Sequence, residues 1–252
     1  MAGIDSAPSS EISVAVSAWR WWKDVVACDG QLTATRRLVS VLVDFVRDST
    51  PERQRQRYGD AEYDWQYRVN TTSAAVGWRD RLLGVFHSPY QPTETTLFHE
   101  MIAALSARAG FDFSDFTFID LGSGKGRTLL MASDYPFRRI VGVELLASLN
   151  QSAQNNLSKY QSKWRKCFVI ESICSDATQF TFPLEPTVLF LFNPFPEAVL
   201  RRVIANLEHS LQEHPRTLYV LYHNPVLERV LSESAVVEKI GSTHQYAVYV
   251  SR

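Results

Sequence analysis

The stretch Phe116-Thr-Phe-Ile-Asp-Leu-Gly-Ser-Gly-Lys-Gly-Arg127 decides the fold of this chain. It begins with apolar, β-forming residues, reaches an acid at Asp120 and then enters a glycine-rich turn. A helical pattern of apolar residues follows from Leu129. Strand, glycine turn and helix in this order are typical of a doubly wound α/β sheet that binds a nucleotide-like ligand. The glycines allow a ligand to approach the backbone closely, and the turn and helix start supply N–H donors.

The residues of the turn distinguish among three ligand classes. A dinucleotide fingerprint needs glycine where this chain has Arg127, and a phosphate-binding loop needs glycine at the position of Ile119. S-adenosylmethionine has no phosphate, and its cationic end suits the carboxylate of Asp120, while the turn N–H groups suit its own carboxylate. A glycine turn without any ligand is the alternative, because one short motif also occurs by chance.

A second acid supports a ligand with a ribose. Glu144 ends the apolar segment Arg139–Glu144, which predicts a second strand, and it lies 24 positions after Asp120. That separation leaves room for one helix and one strand. A carboxylate about 20 residues past a glycine turn is placed to accept hydrogen bonds from ribose hydroxyls. Outside this context a glutamate at a strand end would be a solvated loop residue.

These motifs resemble those of the class I S-adenosylmethionine-dependent methyltransferases, over residues 89–252. Ser175-Asp176-Ala177 resembles the adenine-binding segment, and Asn193-Pro-Phe195 resembles the fourth motif at the reaction centre. The resemblance implies S-adenosyl-L-methionine as cofactor and S-adenosyl-L-homocysteine as product. It implies these cofactor-binding residues: Tyr90, Thr93, Asp120, Gly122, Ser123, Gly124, Glu144, Asp176, Ala177 and Asn193. It implies three catalytic residues: Asn193, Pro194 and Phe195.

A narrower resemblance concerns the acceptor. Tyr90-Gln-Pro-Thr93, the glycine motif and the Asn-x-Phe after the fourth strand are similar to the non-SET (telomeric-silencing-disruptor type) histone lysine methyltransferases, although that family has asparagine in place of Pro194. The residues agree with a nitrogen acceptor, because an asparagine oxygen can orient an N–H group and Phe195 can flank an amine. A strand-to-helix turn capped by Asn193 is the structural alternative. The sequence predicts a helix over Thr96–Ala107, capped by Thr93 or Thr95, and such a plain helix cap is likewise the alternative for Thr93.

The remaining pattern predicts the fold class. Helical and strand segments alternate after residue 116, including a third strand over Lys166–Glu171, and this alternation predicts a mainly parallel α/β sheet. A terminal hairpin over residues 236–250 makes one strand antiparallel. The resemblance implies a seven-stranded, Rossmann-like methyltransferase sheet, preceded by a helical N-terminal segment. We therefore divide the chain into an N-terminal helical or lid segment, 1–88, and a methyltransferase domain, 89–252.

The N-terminal segment predicts two helices, over residues 11–27 and 32–47. Their apolar stripes, which in the first helix comprise Ile12, Val16, Trp19 and Val26, are expected to pack on the catalytic domain. A membrane or partner contact through the three nearby tryptophans is the alternative. The aromatic stretch Tyr63–Asn70 is interpreted as either a lid over the acceptor or a strap on the sheet. The charged residues 50–58 predict a solvated face.

Composition limits the function classes. The chain has 252 residues, of which 45% are hydrophobic, and its net charge of −1 disfavours a dedicated nucleic-acid binder. Three scattered cysteines indicate neither disulfides nor zinc, and with no signal peptide they favour a cytoplasmic protein. No membrane span is predicted. The resemblance implies a protein or small-molecule methyl acceptor as the partner. The six histidines show no metal-ligand spacing; His223 either faces the pocket as a base or is a satisfied loop residue.

Overall fold

The computed structural model describes residues 13–47, 61–72, 82, 90–108 and 110–252. Seven strands form one sheet: β1 (Thr117–Leu121), β2 (Arg139–Glu144), β3 (Ile170–Cys174), β4 (Thr187–Phe192), β5 (Leu218–His223), β6 (Val237–Ser242) and β7 (Tyr246–Ser251). Their order is β3-β2-β1-β4-β5-β7-β6. β7 runs antiparallel to both neighbours, and the other pairs are parallel. This confirms the predicted seven-stranded, mostly parallel fold.

Eight helices accompany the sheet in the described parts of the chain: α1 (Val14–Asp29), α2 (Gln31–Arg47), α3 (Ala61–Tyr67), α4 (Thr95–Ser106), α5 (Arg127–Ala132), α6 (Ala147–Lys159), α7 (Glu197–Glu213) and α8 (Glu228–Ser232). Two short 3₁₀ turns, Phe113–Asp115 and Ala177–Gln179, lie next to β1 and β3. A strand followed by a helix recurs along the chain, and this repeat produces parallel neighbours.

β1 and β4 lie at the centre of the sheet, and side chains cover both of their faces. Every residue of Thr117–Leu121 is buried, and the apolar run Val188–Leu191 is fully buried. Leu189 and Leu191 pack with the inner face of α7, while Val188 and Phe190 pack with residues of α4 and α5. A strand covered on both faces needs a continuous apolar sequence.

The strands β1, β2, β4 and β5 are paired in parallel, so their carboxyl ends meet at one edge of the sheet.

Two predicted elements differ from the structure. The strand expected to begin at Lys166 begins at Ile170 instead, because the N–H groups of Lys166 and Cys167 both donate to the carbonyl of Ser133. Those bonds use the donors that a sheet ladder would need. The helix expected to be capped by Thr93 or Thr95 has Glu94 at its cap position, with no side-chain cap hydrogen bond.

The N-terminal helices differ from expectation in their packing. α1 and α2 pack against each other, and Val14 contacts the cluster of Leu146 and Leu149. However, Val16 and Trp19 of the predicted stripe are exposed, and Trp19 stacks on Trp22 with 5.3 Å between the ring centroids. The expected burial of this stripe against the domain is therefore wrong at these positions. Among the described residues, no helix is long and apolar enough to cross a membrane.

The fold depends on a glycine inside β2. A Cβ on Gly142 would lie 2.6 Å from Leu129 Cδ1 and 2.7 Å from Ser123 Oγ, so a side chain here would push the glycine turn and α5 away from the sheet. Gly142→Ala is expected to lower the free energy of unfolding by about 1–3 kcal/mol, measured by urea denaturation. Gly241→Ala is the control, because its nearest atom lies 3.9 Å away. Equal losses in the two variants would contradict the packing argument.

Candidate functional site

The glycine turn is held by its own N–H groups. Gly122 and Ser123 both donate to the carbonyl of Val143, at 2.8 and 3.1 Å, and Gly126 donates to the carbonyl of Ser123 at 2.8 Å. The N–H of Gly124 donates to Glu144 Oε2 at 2.8 Å. These four donors are thus used inside the protein. The expected binding of a cofactor carboxylate by the turn N–H groups stays a prediction.

Two predicted site residues lie directly against the turn. Gly122 and Gly124 adopt positive φ angles of 85° and 53°. A Cβ on Gly122 would lie 2.6 Å from Pro194 Cβ, and one on Gly124 would lie 2.3 Å from the ring of Tyr90. Glycine is required at both positions by conformation and by space. The structure therefore brings the fourth-motif segment and Tyr90 to the two sides of the glycine turn.

Asp120 and Glu144 form a pair of buried carboxyl groups at adjoining strand ends. Their exposed fractions are 3% and 7%, and Glu144 Oε1 also accepts from the N–H of Leu146 at 2.8 Å. The pKa of Asp120 is raised to about 8, mainly by burial and secondly by the nearby charge of Glu144. Two buried acids side by side disfavour a second negative charge. A cationic group and hydroxyl donors are the ligand chemistry that relieves this arrangement.

Thr93 lies next to this pair. It is 3% exposed, and its Oγ1 is 3.3 Å from Thr128 Oγ1. The Thr128 side chain in turn hydrogen-bonds to Asp120, which acts to lower the pKa of that carboxyl against the larger effect of burial. Thr93 therefore lies beside the acid pair and does not cap the helix. Its expected contact with the cofactor stays a prediction.

Asp176 and Ala177 lie at the end of β3. Asp176 Oδ1 accepts from the N–H of Thr178 at 2.8 Å and so begins the short 3₁₀ turn, while Ala177 is buried in the core cluster beside α7. One carboxylate oxygen of Asp176 is thus used by the turn. Its expected contact with an adenine amine stays a prediction.

The segment Asn193-Pro-Phe195 follows β4. Asn193 has a φ of 42°, a left-handed conformation that turns the chain out of the sheet and brings Pro194 over Gly122. Phe195 is partly buried and packs against the core cluster on the α7 side. Pro194 is therefore beside the turn, whereas Phe195 is used at least partly for packing. Its expected role as a wall for the acceptor stays a prediction.

His223 is a feature of the site for which the sequence pattern left two interpretations open. It is paired in register with Phe192 in the neighbouring strand, and their rings stack with centroids 3.9 Å apart. His223 is 7% exposed, and its Nδ1 has no hydrogen-bond partner among the described residues. Burial lowers the pKa of His223 to about 4. The imidazole is therefore neutral at physiological pH and is not the satisfied loop residue of the alternative interpretation.

Residues 61–72 form a strap on the glycine turn. The buried Lys125 donates through Nζ to Thr72 O at 2.9 Å and to Asn70 Oδ1 at 3.2 Å. Asn156 of α6 binds both backbone groups of Asn70, at 2.8 and 3.0 Å, and also donates to Lys125 O at 2.9 Å. The Tyr90 hydroxyl donates to Thr71 O at 2.5 Å. Of the two interpretations of this segment, the contacts favour a strap.

A second set of contacts holds the start of the strap. Asp64 accepts from the N–H groups of Thr71 and Thr72, at 2.7 and 2.9 Å, and from the Thr71 hydroxyl. The guanidinium of Arg127 lies 4.4 Å from the ring centroid of Tyr63 and 3.9 Å from Asp64 Oδ1. Arg127 stands where a dinucleotide fingerprint needs glycine. That departure was the signal that its side chain has another use. Lys125 gave no such signal, because a phosphate-binding loop also has lysine after its second glycine.

Within the described residues, no group of three or more histidine, cysteine, aspartate or glutamate side chains is arranged to hold a metal ion.

Among the comparisons with known proteins, the comparison with solved structures is the one that found matches. No protein-family model matches the chain, and no curated protein matches it. The ribosomal protein L11 methylase of Lactobacillus delbrueckii subsp. bulgaricus is 15% identical with a TM-score of 0.43, over 63% of this chain and 77% of that chain. An RNA methyltransferase of Salinibacter ruber, solved with S-adenosyl-L-homocysteine, is 18% identical with a TM-score of 0.40, over 64% and 92%.

A third similar structure is the magnesium protoporphyrin IX methyltransferase of Synechocystis PCC 6803, solved with bound cofactor. It is 12% identical with a TM-score of 0.44, over 79% of this chain and 95% of that chain. Identities and TM-scores this low do not transfer an activity or a substrate to this chain.

The strap contacts predict the effect of removing Asn156. Asn156→Ala leaves the backbone groups of Asn70 without their side-chain partner, at about 1–3 kcal/mol for each buried group left unsatisfied. Hydrogen exchange of residues 61–72 is expected to become faster, and the free energy of unfolding is expected to fall. The adjacent Asn155→Ala is the control, since Asn155 is exposed. Unchanged exchange in Asn156→Ala would show that the strap is held by other contacts.

Proposed function

We propose that this protein is an S-adenosylmethionine-dependent methyltransferase that methylates a nitrogen, in the first place a protein side-chain amine such as lysine. The observation that carries the proposal is the buried pair of Asp120 and Glu144, at adjoining strand ends, next to a glycine turn with no room for side chains. A site of this kind lies outside the carboxyl ends of the strands of an open α/β sheet.

The residues of the site fit the chemical groups of the cofactor. Asp120 would bind the ammonium of its methionine part, and Glu144 the ribose hydroxyls. The oxygen of Asp176 that does not cap the turn would accept from the adenine amine. The hydroxyls of Thr93 and Thr128, next to Asp120, would serve the polar methionine end in place of the turn N–H groups that are already used.

The protein's part in the reaction is alignment and the exclusion of water. Bound S-adenosylmethionine supplies an electrophilic methyl group. Asn193 would accept from an N–H of the incoming amine and so aim its lone pair. Phe192 and the neutral His223 provide a stacked, uncharged wall beside this position. Holding two reactants in line can supply several kcal/mol of the rate enhancement.

Cofactor binding is predicted to depend on Glu144. Glu144→Ala removes a charged acceptor, so it should weaken binding of S-adenosylhomocysteine by roughly 1.5–3 kcal/mol, measured by calorimetry. Glu171→Ala is the control, because Glu171 is an exposed acid on the neighbouring strand. Unchanged affinity of the Glu144 variant, or binding of NAD instead, would overturn the cofactor assignment.

Binding is also predicted to release a proton from Asp120. The carboxyl is mostly protonated at neutral pH, since its pKa is raised to about 8, and a cationic ligand favours the ionised form. Affinity should therefore rise with pH up to about 8 and then level off. Calorimetry in two buffers of different ionisation enthalpy measures the released proton. Asp120→Asn should remove the protein's share of that release; an unchanged release would place the proton elsewhere.

Turnover is predicted to depend on Asn193. Asn193→Gly keeps the left-handed backbone but removes the amide, so turnover should fall about tenfold or more while cofactor affinity stays nearly unchanged. Asn224→Gly is the matched control, because Asn224 has a φ of 47° after the neighbouring strand. Loss of cofactor binding in Asn193→Gly would make this residue a cofactor ligand and remove the acceptor argument.

The pH dependence of turnover tests the nitrogen acceptor. An amine must lose its proton before it attacks, and its reference pKa lies near 10, so activity should rise between about pH 7 and 9. Methyl transfer from labelled cofactor into fractions of a cell lysate separates protein acceptors from small molecules. Cofactor binding without transfer into any fraction would instead favour a binding module that does not turn over alone.

A further inference from the structure

A loop at the edge of the sheet opposite to the acid pair carries both aromatic and basic side chains. Residues 160–169 connect α6 to β3, so they lie at the amino-terminal edge of the parallel strands, whereas Asp120, Glu144 and Asn193 lie toward the carboxyl ends. In this loop Trp164 is 59% exposed and Phe168 is 72% exposed. We refer to residues 159–169, which are this loop and the last residue of α6, as the aromatic-basic loop.

The aromatic rings of the loop are held outward by the fold. Tyr160 and Cys167 are buried at 4% exposure and anchor the loop in the core. The carbonyl of Ser133 accepts from both Lys166 N and Cys167 N, at 2.7 and 3.0 Å. Because these contacts fix the backbone around them, the exposure of Trp164 and Phe168 is built into the structure. Two large exposed apolar side chains within one short loop are a feature of interaction surfaces.

Cations accompany both rings. Lys163 Nζ lies 4.9 Å from the ring centroid of Trp164, and the guanidinium carbon of Arg165 lies 5.0 Å from that of Phe168. Lys159 and Lys166 add two more basic side chains. Within the described parts of the chain, none of these four basic residues forms an ion pair with a carboxylate.

The sequence around the loop carries positive charges without negative ones, although the whole chain has a net charge of −1. The 26 residues from Leu145 to Ile170 contain no aspartate or glutamate and four lysine or arginine residues. Two acids lie near the loop: the exposed Glu171 directly follows this run, and Asp134, which interacts electrostatically with Lys166, accepts from the Ser162 hydroxyl at 3.2 Å. This composition favours a polyanion over a neutral peptide strand as the occupant of the surface.

We propose that the aromatic-basic loop binds single-stranded RNA, with bases stacked on Trp164 and Phe168 and phosphates neutralised by the four basic side chains. Stacked aromatics interleaved with cations are the recognition chemistry of single-stranded nucleic acid, because every base presents a flat face and every linkage a negative charge. The loop is separate from the reaction site. The inference therefore goes beyond the proposed methyl transfer and holds whether or not the RNA itself is the acceptor.

The test is a binding measurement without cofactor. A fluorescein-labelled, mixed-sequence RNA of roughly 12 nucleotides is titrated with the full chain and followed by fluorescence anisotropy. Trp164→Ala combined with Phe168→Ala is expected to weaken binding about tenfold or more. Lys163→Glu combined with Lys166→Glu should weaken it further and reduce its salt dependence, by about 0.7 in the log–log slope for each phosphate that the variant no longer neutralises.

Matched controls distinguish binding at this loop from non-specific RNA binding by exposed aromatic or basic side chains elsewhere. Trp65→Ala removes a tryptophan that is 85% exposed elsewhere, and Arg202→Glu reverses an exposed charge on α7. Both variants are expected to bind RNA like the unaltered chain. Circular dichroism and calorimetry with S-adenosylhomocysteine verify the fold of the loop variants independently of RNA.

Four results would overturn the proposal. The first is no binding of the RNA by the unaltered chain, and the second is equal binding by the loop variants and the controls. The third is equal affinity for the same sequence as a duplex, which would exclude stacking on unpaired bases, or tighter binding of single-stranded DNA, which would exclude RNA as the preferred occupant. The fourth is a loss confined to binding of anionic vesicles, which would make the loop a membrane surface.

Discussion

The burial of two basic side chains of the glycine turn is the constraint on which the arrangement of the site depends. Lys125 and Arg127 are almost fully buried, which is unfavourable for a cation unless polar partners replace water. Residues 61–72 provide those partners, through backbone and side-chain oxygens for Lys125 and through Asp64 and the Tyr63 ring for Arg127. The turn and the strap therefore stabilise each other.

The effect of burial on protonation follows the same logic. Burial lowers the pKa of Lys125 to about 8 and raises the pKa of Asp120 to about 8, so both groups favour their neutral forms more than they do in water. The pKa of His223 is lowered for the same reason. The site thus combines a buried interior with an acid, Asp120, that a cationic ligand would help to ionise. Such perturbed groups at strand ends are characteristic of functional sites.

The net charge of the whole chain does not reveal its local basic segment. A net charge of −1 argued against nucleic-acid binding, yet the acid-free run from Leu145 to Ile170 carries four cations beside two exposed rings. Screening limits electrostatic attraction to about 10 Å, so a partner responds to the local surface and not to the total charge. The predicted burial of Trp19 failed for a related reason, because helical periodicity identifies an apolar face without saying whether another surface covers it.

The sequence by itself determined a mainly parallel, alternating α/β sheet with a terminal hairpin, the strand ends that carry Asp120 and Glu144, and the glycines of the turn, because periodicity, glycine spacing and strand-end acids are local patterns. The number of seven strands was implied by the family resemblance. Only the tertiary structure decided that Pro194 and Tyr90 press on the turn, that Thr93 joins Asp120 through Thr128, and that residues 61–72 form a strap. These contacts join residues far apart in the chain. Their partners are selected by burial and hydrogen-bond satisfaction in three dimensions, which no local pattern encodes.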